Sequence, residues 1–193
     1  MSRKKILRGF ARFILFLTGW KVKGSLPPDV KKCVIAVVGH TSYWDAAVGR
    51  LGLWALGIKC TILVKKEAFT PALGWLLRIN GGVPVNRSNS TGLVTQVVQM
   101  VQKADEFFLV IAPEGTRSRV SNWKKGYYFI AQAANIPIAV GFVDYKKKEG
   151  GIGPLFYPTG NYEEDFKIIR EFAKDITPRF PELFVLPDEE EKK

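Results

Sequence analysis

His40 is the chain's single histidine, and Asp45 follows it five residues later. A carboxylate that accepts one ring N–H of an imidazole fixes its tautomer. The other nitrogen is then free to take a proton near neutral pH, so the pair can act as a general base. The same spacing also arises where a histidine closes a strand and an aspartate caps a helix, so the pair alone assigns nothing. Ser42, two residues from His40, is a rival as a nucleophile. No G-x-S-x-G turn surrounds it, and it reads as a turn or hydrogen-bonding residue.

These residues need elements to position them. Val34–Val38 is an apolar run that reads as a buried strand delivering Gly39-His40. A helix is expected from Asp45, near its N-cap, to Gly57. Strands are expected at 61–64, 83–85, 107–112 and 136–142, with helices at 72–79, from 90 or 91 to 103, and 124–135. Tyr145–Gly151 reads as a hairpin tip, 153–157 as the returning strand and 163–176 as a last helix. Alternating strands and helices predict a single α/β domain with a largely parallel, mixed β-sheet flanked by helices. In such sheets, sites gather at the carboxyl ends of strands. His40, Lys65, Arg87, Glu114 and Arg117 all follow apolar strands, a shared position that chance rarely gives.

The N-terminal segment has its own character. Arg3, Lys4, Lys5, Arg8, Arg12, Lys21 and Lys23 precede the first acid, Asp29. Ile6, Phe10, Phe13, Ile14, Leu17 and Trp20 recur at helical spacing between them. A spanning helix needs about 20 apolar residues, and the two arginines interrupt this run. The expectation is a basic amphipathic helix in the membrane interface, with Trp20 at headgroup level; the alternative is a helix packed on its own domain. Residues 1–27 thus read as interfacial helix and linker, 28–187 as the main domain and 188–193 as a charged tail. The net charge of +11 calls for an anionic partner. Cys33 and Cys60 show no metal or redox spacing, and no metal site is expected.

In order, His40-x-x-x-x-Asp45, Gly82-Val83-Pro84-Val85-Asn86-Arg87, Pro113-Glu114-Gly115-Thr116-Arg117-Ser118 and Ile136-Pro137-Ile138 resemble the four blocks of the glycerolipid acyltransferases. These enzymes are best known for acylating lysophosphatidic acid (1-acyl-sn-glycerol-3-phosphate) or glycerol 3-phosphate. Lys65, in Lys65-Lys66-Glu67, matches the family's lysine. The likeness covers roughly residues 40–142 and is most specific in the third block. Gly39 and Ala112 stand where many members have Asn and Phe, which leaves the acceptor open.

The resemblance implies acyl transfer from a thioester, acyl-coenzyme A or acyl-acyl carrier protein, to a lysolipid hydroxyl. It implies His40 as base, Asp45 as its orienting partner and direct attack without an acyl-enzyme. Lys65, Arg87 and Arg117 would hold phosphate, with Glu114, Gly115 and Thr116 completing the acceptor site. Arginine suits an oxyanion because its planar fork donates two parallel bonds. Glu114 would orient Arg117 or bond an acceptor hydroxyl, and the Gly115 N–H could bind an anion. Amides near Gly82–Val85 are the expected oxyanion site. Trp44, Leu53, Trp54, Leu73, Trp75 and Leu76 could line an acyl channel or belong to the core. The implied product is phosphatidic acid, made at the cytoplasmic face of the cell membrane by a peripheral or monotopic protein with no bound cofactor. Two alternatives stay open: a lyso-aminolipid acceptor (ornithine or glycine lipid), or a non-catalytic basic module for membrane or nucleic acid. No nucleic-acid motif is present, and no nucleic acid is expected.

Overall fold

The structure, a computed structural model, describes residues 3–86 and 90–187. Among them a seven-stranded sheet forms: β1 (Lys21–Lys23), β2 (Lys32–Val38), β3 (Cys60–Lys65), β4 (Gly82–Val85), β5 (Phe107–Ile111), β6 (Ile138–Asp144) and β7 (Glu149–Phe156). The order is β1-β7-β6-β2-β5-β3-β4, parallel except for the antiparallel β6–β7 pair. The six α-helices among the described residues are α1 (Arg3–Leu17), α2 (Tyr43–Leu56), α3 (Pro71–Ile79), α4 (Ser90–Lys103), α5 (Gly126–Ala134) and α6 (Tyr162–Ala173). This is the expected α/β domain with a largely parallel mixed sheet.

Strand alternation divides the core. Val34, Ala36 and Val38 of β2 face one layer with Val97 and Val101 of α4, Tyr127 and Ile130 of α5, and Phe166 and Ile169 of α6. Cys33 and Ile35 face the other with Leu53 of α2. Both cysteines are buried, and burial pushes the Cys33 thiol up to about 12. α1 seats Ala11 and Leu15 on Ala55 of α2. The β2–α2–β3 and β3–α3–β4 units run in the same direction across the sheet. Their right-handed crossovers place α2 and α3 on one face. Arg50 of α2 confirms this by bonding both the carbonyl oxygen and, at 3.0 Å, Oδ1 of Asn80, the cap of α3.

Several elements depart from expectation. Lys21–Lys23, without a strand signal in its pattern, pairs with β7. The hairpin turns within Tyr145–Lys148, where Lys147 N–H bonds Asp144 Oδ1 at 2.9 Å, and β7 begins at Glu149. Gly150 and Gly151 are therefore strand residues, not turn residues. A side chain at Gly151 would strike the Lys23 carbonyl oxygen of β1, so glycine there admits the neighbouring backbone. α6 stops at Ala173, short of the expected end. Trp20, expected at headgroup level, packs edge-on to Tyr145 with centroids 5.1 Å apart. The charged tail 188–193 lies outside the described residues.

Candidate active site

Gly39 turns the chain at the end of β2 with φ of 75°, a conformation that a side chain disfavours. The next residues build a helix start. Ser42 is the N-cap of α2: its Oγ accepts from Trp44 N–H at 3.2 Å, and its own N–H donates to Asp45 Oδ2 at 2.7 Å. This capping box places Asp45 at the third position of the helix rather than at its cap. It also ties up the Ser42 hydroxyl in a helix cap.

The capping box aims Asp45 back at the histidine. His40 Nδ1 lies 3.3 Å from Asp45 Oδ2. The Asp45 side chain is 2% exposed and that of His40 20%. Among the described residues Nε2 of His40 carries no hydrogen bond, so one nitrogen is engaged and the other available. Tyr145 completes the carboxylate's shell by donating its O–H to Oδ1 at 2.7 Å. Burial alone would raise the Asp45 pKa. Hydrogen bonds from His40, Tyr145 and the Ser42 amide, with the imidazole's charge, overcome burial and hold it below the usual carboxylate value. Tyr145 shifts the other way: burial, then its bond to Asp45, raises its pKa and keeps it a neutral donor.

Glu114 meets the backbone of the histidine turn. Its Oε1 accepts from Gly39 N–H at 2.8 Å and His40 N–H at 3.1 Å, bracing the histidine's backbone rather than Arg117. It is 7% exposed, and Oε2 has no partner among the described residues. Burial raises its pKa, with the bonds from its own amide, His40 and Gly39 opposing. The Gly115 N–H closes a turn onto Ala112 O at 3.0 Å and so is not free for an anion. Thr116 Oγ1 accepts from Ser118 N–H at 3.2 Å, an ST-turn that shapes the loop. Arg117 lies over the Tyr43 ring at 3.8 Å, at the start of α2 and beside the His40 turn. Lys65 ends β3, exposed, two strands from β2. Arg87 lies outside the described residues. β4 is three strands from β2, about 14 Å at the usual strand spacing, so amides of Gly82–Val85 are remote from His40.

A cavity of about 750 Å³ runs from His40, Tyr43 and Asp45 between α2 and the sheet. Ile35, Val37, Val110 and Ile62 are its floor, and Ala46, Gly49, Leu53 and Trp54 its roof. Its lining is mainly apolar, with Arg50 and Asn80 on the β3 side. Of the expected channel residues, Leu53 and Trp54 line it. Trp44, Leu73, Trp75 and Leu76 are exposed on the surface instead.

Pattern reading missed Tyr43, Tyr145 and Arg179. Arg179 lies over the rings of Trp44, Tyr145 and Phe180 at 5.6–5.9 Å, while Phe180 N–H donates to Thr41 Oγ1 at 3.1 Å. Tyr145 and Arg179 reach the site from the β6–β7 turn and the segment after α6, so no local spacing marks them, while Tyr43 lies inside the His40–Asp45 block and is marked only by its contact with Arg117.

The Acyltransferase family profile matches residues 20–140, which contain the His40–Asp45 pair and the Glu114–Arg117 loop. The chain belongs to the Acyltransferase family. A curated relative, a 1-acyl-sn-glycerol-3-phosphate acyltransferase of Streptococcus pneumoniae, is 26% identical over 152 residues, 71% of this chain. The chain spans about half of that relative's length (56%). Among solved structures, the lysophosphatidic acid acyltransferase PlsC of Thermotoga maritima matches with a TM-score of 0.55 and 20% identity. That match covers 89% of this chain and 75% of the other, and it bears on the fold alone. Within this acyltransferase chain, the block residues His40, Asp45, Glu114 and Arg117 gather around one turn at the mouth of the cavity.

Proposed function

We propose that this chain is an O-acyltransferase that moves a fatty acyl group from a thioester to a lysolipid hydroxyl at a membrane surface. The acceptor that fits best is 1-acyl-sn-glycerol-3-phosphate, and the product phosphatidic acid. The carrying observation is the His40–Asp45 pair, with Nε2 unpaired among the described residues, at one end of a largely apolar cavity of about 750 Å³. The acceptor hydroxyl gives its proton to His40 Nε2 as its oxygen attacks the thioester carbonyl carbon. The tetrahedral intermediate collapses, the C–S bond breaks, and the imidazolium returns the proton to the thiolate. Asp45 and Tyr145 hold the ring and stabilise its charge; the cavity takes the acyl chain. Arg117 on Tyr43 supplies a cation for the acceptor phosphate, with Lys65 at the end of β3 and Arg87 of the second block as the further cations the resemblance implies.

The N-terminal helix supports a membrane setting. α1 seats Ala11 and Leu15 inward and leaves Ile6, Phe10, Phe13, Phe16 and Leu17 exposed among Lys5, Arg8 and Arg12. Among the described residues no helix is long and apolar enough to cross a membrane. The basic, apolar α1 fits peripheral attachment to an anionic leaflet, and the reading is the cytoplasmic face.

The test is a product assay by mass spectrometry. Acyl-coenzyme A and acyl-acyl carrier protein are each offered with lysophosphatidic acid, glycerol 3-phosphate or lyso-aminolipids, beside His40→Ala. A diacyl product that His40→Ala abolishes supports the reading and names acceptor and donor. Folded protein that gives no product, or equal product from the variant, overturns it.

A further inference from the structure

α3 carries its apolar stripe on the wrong side for a helix of a water-bounded protein. Ala72, Trp75, Leu76 and Ile79 stand at i, i+3, i+4 and i+7, the spacing that normally faces a core. All four are exposed, Trp75 by 69%, and Leu73 beside them is exposed too. The side turned to the protein holds Gly74, the helix's one buried residue, and half-buried Leu77. Gly74 lies against the Phe69 backbone, and Gly82 of β4 meets the Leu77 carbonyl, so α3 is seated closely through its small side. Its large side chains are left without a partner among the described residues. Contiguous apolar surface of this kind marks an interaction site.

We infer that α3 is a second membrane contact, and that its stripe enters the same anionic leaflet as α1. The inference rests on the membrane setting proposed above. α1 packs on α2 towards the β1 edge, through Ala55 with Trp20 and Val22 nearby. α3 joins α2 on the β3–β4 side through Arg50 and Asn80. The two helices therefore flank α2, the roof of the cavity, on one face of the sheet. Their exposed apolar side chains lie among exposed Lys5, Arg8, Arg12, Lys65, Lys66 and Arg78, against one exposed acid, Glu67. On the opposite face the exposed glutamates of α6 are each neutralised by a lysine: Glu163 by Lys125, Glu164 by Lys167 and Glu171 by Lys174. That asymmetry selects an anionic lipid surface over a second copy of a chain carrying +11. Two apolar helices on either side of α2 would let a lipid tail pass between leaflet and cavity without crossing water.

The test reads lipid contact without turnover, so its failure is separate from failure of the acyl-transfer assay. Cys33 and Cys60 are buried, so Ile79→Cys, or Phe129→Cys on the opposite face as control, can carry a polarity-sensitive fluorophore. The labelled proteins meet vesicles of phosphatidylcholine with and without phosphatidylglycerol. The inference predicts a blue shift and intensity gain at position 79 with anionic vesicles and none at 129. It also predicts that Trp75→Glu with Leu76→Glu weakens vesicle binding about tenfold. The same variant should leave turnover of a short-chain, monomeric acceptor unchanged. A water-like signal at position 79 in vesicle-bound protein overturns the inference. So does a shift at 79 that appears without lipid and follows protein concentration, because a second copy would then cover the stripe.

Discussion

Tyr145 donates its O–H to Asp45 Oδ1 at 2.7 Å across one hundred residues of sequence. The bond links the β6–β7 turn to the first turn of α2. It gives the buried carboxylate a neutral donor on the oxygen that does not face His40.

Tyr145→Phe removes that donor and keeps the ring against Trp20. A hydrogen bond to a charged group contributes about 1.5–3 kcal/mol. We expect kcat to fall about tenfold or more, with KM for the acceptor unchanged. A purely structural role would lower stability and leave kcat of the folded fraction intact. Because His40 is the only histidine, 15N-histidine labelling gives one imidazole to observe. Asp45→Asn should change its tautomer, and Tyr145→Phe should not.

Glu114→Gln separates bracing from acceptor binding. The amide oxygen can still accept from Gly39 and His40, so activity should stay within about threefold of the parent if Glu114 only fixes the turn. Burial raises the Glu114 pKa, so its favourable contribution is present below the unfolded value and is lost as pH rises through the folded one. Asp45, held low, contributes above its unfolded value and loses that contribution as pH falls through the folded one. Denaturant titrations at several pH values should therefore show a flatter slope above the carboxylate range in Glu114→Gln. An unchanged slope would contradict the raised value.

Arg117→Lys tests the plane on Tyr43. A lysine keeps the charge and loses the stacked, forked guanidinium. KM for a phosphate-bearing acceptor should rise about tenfold while that for acyl donor holds. Full activity in the lysine variant would show that charge alone suffices.

Gly52→Leu tests the cavity. Gly52 lines it, and a Cβ there meets nothing within 4 Å. The larger side chain should fill part of the space at little cost in stability, since glycine inside a helix is itself unfavourable by about 0.5–1 kcal/mol. Competition between acyl donors should then shift towards shorter chains. An unchanged preference would place the acyl chain elsewhere.

The sheet was legible because apolar runs such as Val34–Val38 and Phe107–Ile111 have two buried faces and must lie inside it. The His40–Asp45 pair was legible because the capping box is local, written in six consecutive residues. Glu114 was found, but its bonds to the Gly39 and His40 amides were not foreseen, since motif position does not reveal which backbone amides a carboxylate will meet. Tyr145 and Arg179 escaped because chain reversal far from the motifs brings them in. β1 escaped for another reason: three residues, Lys-Val-Lys, carry no periodicity, and only the waiting edge of β7 makes them a strand. Leu73, Trp75 and Leu76 of α3 were read as channel or core, because apolar residue type alone does not say whether a side chain meets protein or lies exposed.

That three-residue strand bears on how the protein could be handled. Trimming away residues 1–27 to rid a preparation of its greasy helix would also uncover the Glu149–Gly151 end of β7. The uncovered strand would present a row of unpaired amides and carbonyls to any passing chain, the template from which sheet-to-sheet aggregation grows. The shortened protein would lose one of its two greasy surfaces and acquire an edge open to copies of itself.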